Sequence, residues 1–164
     1  MKKLLAVSFL SLLSLPVLAS DWRGWEDFSI AGSNERHWIC GMDNIKGAGQ
    51  SQNVSIKLIE STPFIQFDLY KNSWSFPQGS SVPVRLDFDD NAPLDLKAYG
   101  DGQIVSIAIP VEMTNVFLSL VNDKQRIRVM FRDGNEPVWS IGLDGAHDAL
   151  FRMLSCFKKN RALQ

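Results

Sequence analysis

Apolar and polar residues alternate one for one in segment after segment of this chain, and that period commits it to a β fold. Val54, Ile56 and Leu58 are separated by Ser55 and Lys57, and residues 63–70 (PFIQFDLY) repeat the pattern. Val82, Val84, Leu86 and Phe88 alternate with Pro83, Arg85 and Asp87, and Leu94, Leu96 and Ala98 follow. Residues 104–109, 126–132 and 137–143 read the same way, as do shorter runs at 28–31 and 36–42. Neighbouring side chains of a strand point to opposite faces, so strict alternation marks strands with one buried face. Turn residues punctuate the runs: Asp89-Asp90-Asn91, Gly100-Asp101-Gly102 and the hairpin signal Asp133-Gly134. Residues 21–27 read as a polar stretch ahead of the first strand, 43–52 as a loop and 76–81 as a turn cluster.

The period changes twice. After Pro110, which suits a first helical turn, Met113, Val116, Phe117, Leu120 and Val121 fall on one helical face. In residues 144–159 a second stripe joins Ala146, Ala149, Leu150, Met153, Leu154 and Phe157. Asp144 suits its N-cap, and Lys158 and Lys159 complement the dipole at its C-terminal end. About seven to nine short strands with two helices and no βαβ alternation predict a mainly β domain: an antiparallel β-sandwich or open barrel with two short α-helices, one C-terminal.

The N-terminus sets the expected compartment. Lys2 and Lys3 precede the apolar run Leu4–Leu18, and Val17-Leu18-Ala19 offers small residues for cleavage, the pattern of a secretory signal peptide over residues 1–19. Ser8, Ser11, Ser14 and Pro16 interrupt the run, which falls short of the roughly 20 apolar residues a spanning helix needs. The expected product is a single domain, residues 20–164, in the periplasm or secreted, with no stable membrane insertion after cleavage. Loss of Lys2 and Lys3 leaves 15 basic side chains against 18 acidic ones, a net charge of −3. That balance lacks the basic stripe of a nucleic-acid binder.

In an oxidising compartment the only two cysteines, Cys40 and Cys156, predict a disulfide joining the second strand to the last helix. A catalytic thiol would need a base, and His37, at an odd offset on a strand, faces away from Cys40. No C-x-x-C or third soft ligand suggests zinc. His147, beside Asp144 and Asp148, has no serine in a nucleophile-elbow setting to serve. The 87–95 acidic stretch lacks a calcium loop's glycine and final glutamate, with Ala92 and Ala98 in those places. No catalytic residue, metal or cofactor is therefore expected.

Of the five tryptophans, Trp38 and Trp139 lie in strand patterns and read as core. Trp22, Trp25 and Trp74 lie in polar contexts. With Phe76 and the acidic pair Asp89 and Asp90 they form the candidate binding surface, since aromatic side chains with a polar handle favour interfaces. The functional expectation is a non-enzymatic protein acting through contact with a protein partner. The alternative is an inhibitor or immunity protein that inserts Trp74 or the 87–90 turn into the cleft of a periplasmic enzyme or toxin.

From about Val82 to Met153 the chain resembles the invasion-associated locus B family of small exported bacterial proteins. The matching runs are VPVRLDFDD, then VEMTNVFLSLVNDKQRIRVMF, then VWSIGLDGAHDALFRML, with Leu143-Asp144-Gly145 where that family's final helix begins. The family's extra cysteine pair has no counterpart here, where Ser and Ala stand near 106–108. The resemblance implies an exported β-sandwich with no known catalytic centre, associated with envelope or host interaction. It carries over no functional residue.

Overall fold

The computed structural model describes residues 22–31, 38–46, 51–60, 62–89 and 91–161. The signal peptide reading (1–19), His37 and Asp90 lie outside the described residues. Nine strands form: β1 (Trp22–Ala31), β2 (Trp38–Lys46), β3 (Gln52–Ile59), β4 (Ile65–Lys71), β5 (Phe76–Phe88), β6 (Leu94–Gly102), β7 (Ile104–Ile109), β8 (Arg126–Phe131) and β9 (Trp139–Gly142). A 3-10 turn (Val111–Met113) leads into α1 (Thr114–Asp123), and α2 (Ala146–Arg161) follows β9.

All strands belong to one sheet in the order β1-β2-β3-β4-β7-β6-β5-β8-β9, antiparallel at every pairing. The sheet curls into a nearly closed barrel, so of the two architectures the alternation permits, the chain takes the barrel. Three strands are longer than the sequence suggests. β1 begins at Trp22, β2 runs on to Lys46, and β5 begins at Phe76 with a register shift between Phe76 and Ser80. In each case ladder pairing extends a polar or glycine-containing stretch that has no apolar period of its own, because the partner strand supplies the hydrogen bonds.

An odd number of antiparallel strands leaves the first and last running in the same direction, so β9 cannot extend the antiparallel ladder onto β1. Side chains close the seam instead. Trp22 Nε1 donates to the Ser140 carbonyl at 2.9 Å and Trp25 Nε1 to the Gly142 carbonyl at 2.8 Å. Acceptors that advance along β9 as donors advance along β1 have the sense of a parallel pair. The indoles satisfy carbonyls on an edge that would otherwise be open.

The inner face carries the core. Cys40, Met42, Val54, Ile56, Phe67, Leu69, Val84, Leu86, Phe88, Val105, Ile107, Ile127 and Ile141 are all fully buried. They are the apolar halves of the alternating runs, delivered to one side by the two-residue period. Phe117 of α1 meets Phe67 and Phe88 with ring centroids 6.0 and 5.9 Å apart. Helix α2 packs on β1 and β2 through Ala146, Ala149, Leu150 and Met153. The Cys40–Cys156 disulfide locks it there, and Arg152 pairs with Asp27 of β1. Among the described residues no helix is long and apolar enough to cross a membrane.

Candidate functional site

The polar halves of the same runs face outward, and on β1–β4 and β7 they do not simply meet solvent. Register places Glu26, Asp43, Ser55, Asp68 and Ser106 in one row across five strands, and Phe28, Gly41, Lys57, Gln66 and Ala108 in the next. Gly41 has no side chain where Phe28 crosses it. A Cβ built there would lie 2.3 Å from Phe28 Cζ, so glycine alone lets that ring lie across β2. The ring walls off a pocket of about 450 Å³ lined by Phe28, Ile30, Asp43, Asn53, Ser55, Lys57, Asp68, Tyr70 and Ile104.

Within it the charges are unevenly satisfied. Asp68, 5% exposed, accepts from Lys57 Nζ at 2.6 Å and from the Gln66 amide at 2.9 Å. Buried carboxylates persist where they are paired and hydrogen-bonded like this. Asp43 has only the Asn53 amide, at 3.3 Å. Burial pushes its carboxyl above the ordinary aspartate range; the Asn53 hydrogen bond pulls it back, the Glu26 charge adds to the rise and Lys57 opposes it. Ser55 is 7% exposed and lines the pocket, yet among the described residues no hydrogen bond reaches its hydroxyl. The hydroxyl opens into the cavity, so the pocket is a polar one with hydrogen-bonding capacity unused among the described residues.

The described residues among those singled out from the sequence, Trp22, Trp25, Trp74, Phe76 and Asp89, fall elsewhere and lie in different parts of the barrel. Trp22, Trp74 and Phe76 gather at the barrel end where β1, β5 and β9 begin. Trp74 stacks on Trp139 at 5.2 Å, with Phe76 at 5.4 Å and Phe131 at 5.5 Å from Trp74, while Trp22 lies 6.2 Å from Trp139. At their centre Glu136 accepts from Trp139 Nε1 at 2.8 Å, from Trp74 Nε1 at 3.1 Å and from Lys71 Nζ at 2.8 Å. Burial pushes the Glu136 carboxyl up, but the Lys71, Trp139 and Trp74 donors outweigh it and hold the group below the usual glutamate range. These aromatics fill and seal the barrel mouth.

Trp25 is buried on the seam, and Lys46 sits 5.9 Å over the Trp22 ring. Asp89 lies at the opposite end, where β5 finishes. Its φ of 47° is left-handed, a conformation aspartate tolerates better than most residues. Its carboxylate accepts from the Gln125 backbone at 2.9 Å, and neighbouring Asp87 pairs with Arg128. His147 Nδ1 meets Asn122 Oδ1 at 2.6 Å and joins the start of α2 to the end of α1.

Also at that end, a groove of about 560 Å³ lies between α1 and α2, with Trp38, Leu58, Phe64, Leu118, Leu154 and Phe157 in its walls. Trp38 packs edge-on against Phe157 at 4.9 Å, and its buried indole N–H has no partner among the described residues. Among the described residues no group of three or more His, Cys, Asp or Glu is placed to hold a metal ion.

Asp43, Ser55, Lys57 and Asp68 carry no sequence signal as a site. Ser55, Lys57 and Asp68 are polar members of alternating runs, which is what any solvated strand face shows, and Asp43 falls in a stretch that reads as a loop. The one cue is Gly41 inside a strand, a position that often marks close approach of another group. No family model, no curated protein and no solved structure matches the chain significantly.

Proposed function

We propose that the protein is an exported, disulfide-locked barrel that acts without catalysis, by seating a protein partner on the outer face of β1–β4 and β7. The observation that carries this reading is the outer pocket, where the hydroxyl of the largely buried Ser55 and a weakly paired Asp43 carboxylate face a cavity instead of each other. Ile30, 53% exposed, and Ile104, 39% exposed, flank it with apolar surface of the kind found around interface anchors. The disulfide fits an oxidising compartment, and the signal-like N-terminus supports export. The resemblance to invasion-associated locus B proteins points the same way, towards contact with envelope or host components. An inhibitor working through Trp74 or the 87–90 turn has less support, because Trp74, Asp87 and Asp89 spend their polar atoms on internal partners.

The test is site-specific photo-crosslinking in the producing cell. A photoreactive residue at Ile104, on the pocket rim, is expected to capture one protein, whereas the same residue at exposed Arg126 of β8 captures none. Equal labelling from both positions, or none from Ile104, refutes the assignment of this face.

A further inference from the structure

We propose that the outer pocket receives a lysine or arginine side chain of the protein partner, with Asp43 as its counter-ion and Ser55 as an added hydrogen-bond acceptor. The inference rests on the contact reading above and adds the chemistry of the group recognised.

Charge complementarity carries it. Three carboxylates, Glu26, Asp43 and Asp68, lie along one row of the outer face, and Lys57 supplies one compensating cation, committed to Asp68 at 2.6 Å. The local charge is therefore −2, and Asp43 is the half-buried share of it, whose one hydrogen bond among the described residues comes from a neutral amide. A buried carboxylate favours a cation over a neutral group, because an ion pair compensates the desolvation that a neutral ligand leaves standing.

The Ser55 observation is independent of the acids. Its hydroxyl, in a residue 7% exposed, lines the cavity and is free to accept from an ammonium or guanidinium N–H. The remaining walls suit the stem of such a side chain. Phe28 and Tyr70 present aromatic rings to a cation, and Ile30 and Ile104 present aliphatic surface to its methylenes. An anionic side chain would meet Asp43 and Asp68 in the pocket, with Glu26 adding its charge from the same row. A purely apolar one would leave both Asp43 and Ser55 without a partner.

The experiment titrates the oxidised protein with butylguanidinium and butylammonium chlorides, with 1-pentanol as the neutral control, at fixed ionic strength, read by amide chemical shifts. The photo-crosslinking at Ile104 is run beside it on wild type, Asp43→Asn and Glu26→Gln. The cations are expected to shift the amides of Asp43, Ser55 and Tyr70 with at least five-fold tighter binding than pentanol. Asp43→Asn, its fold checked by thermal unfolding, is expected to lose both that preference and at least ten-fold of the cross-linked partner. Glu26→Gln tests the same charge from an exposed position if Asp43→Asn unfolds, with a loss of two-fold or more expected.

A partner cross-linked equally by wild type, Asp43→Asn and Glu26→Gln, with pentanol binding as well as the cations, overturns the cationic assignment and leaves the contact face standing. Tight binding of the free amines with no cross-linked protein overturns the partner as the source. Neither amine binding nor cross-linking overturns both readings.

Discussion

Replacing Glu136 by alanine tests whether one carboxylate organises the aromatic end of the barrel. Trp139 is 3% exposed and its N–H has Glu136 as acceptor, so alanine strands a buried donor at a cost of about 1–3 kcal/mol. Trp74 and Lys71 are half-buried, and water replaces part of what they lose, adding roughly 1 kcal/mol. The expected total is about 2–4 kcal/mol, or roughly 5–12 °C in Tm for a domain of this size.

Glutamine keeps one acceptor oxygen but turns an NH2 towards the remaining donors, so Glu136→Gln should cost about half as much. Urea unfolding followed by tryptophan emission reads both variants, since three of the five indoles sit in this cluster.

A pH series sharpens the test. The folded carboxyl lies below its ordinary value of 4.5, so its contribution is present above that value and is lost as pH falls through the folded pKa. Wild type should therefore lose stability below about pH 4.5 more steeply than Glu136→Gln. An alanine variant within about 0.5 kcal/mol of wild type, with parallel pH profiles, would falsify the account of Glu136 as the organising group.

Three further outcomes follow from the geometry. Cys40→Ala with Cys156→Ala opens a loop of 116 residues, for which chain entropy gives an upper loss of about 5 kcal/mol. A urea midpoint unchanged between this variant and wild type would show that α2 docks without the bond. Trp25→Phe removes the N–H that reaches Gly142 and trims a buried ring, so it should cost about 1–3 kcal/mol and speed amide exchange in β1 and β9. Exchange confined to other strands would contradict a seam held by indoles. Gly41→Ala forces the far end of the Phe28 ring aside at under about 1 kcal/mol, while cross-linking from Ile104 drops several-fold. Retention of full cross-linking would mean Phe28 is no wall of the binding site.

The sequence was most legible where one side chain's environment follows from the backbone period alone. Val54, Ile56, Leu86 and Ile127 are predicted inward by alternation and are fully buried. The Cys40–Cys156 pair was equally readable, because it rests on a count of two, and the helical stripes were readable in part: Phe117, Val121, Ala146, Ala149, Leu150 and Met153 are buried, whereas Val116 and Leu154 of the same stripes are exposed. What escaped depends on strand order. Asp43, Ser55 and Asp68 become neighbours only once β2, β3 and β4 are in register, and nothing in any one strand announces the others. The tryptophans show the converse. The polar flanks of Trp74 suggested a surface, but Glu136, distant in sequence from Lys71 and Trp74, joins it to Trp139, which its strand pattern reads as core, at the barrel mouth.

The seam between β1 and β9 also sets a timetable. A chain delivered N-terminus first can build β1 to β4 at once, but the free edge of β4 must wait for β7, and β1 must wait for β9. Cys40 meets Cys156 only after another 116 residues arrive, roughly 6–23 s at about 5–20 residues per second. Throughout that interval Met42, Ile56 and Phe67 line a half-made gutter with no lid. The barrel's slowest hazard thus belongs to its birth, when the gutter either rolls up or meets another of its kind.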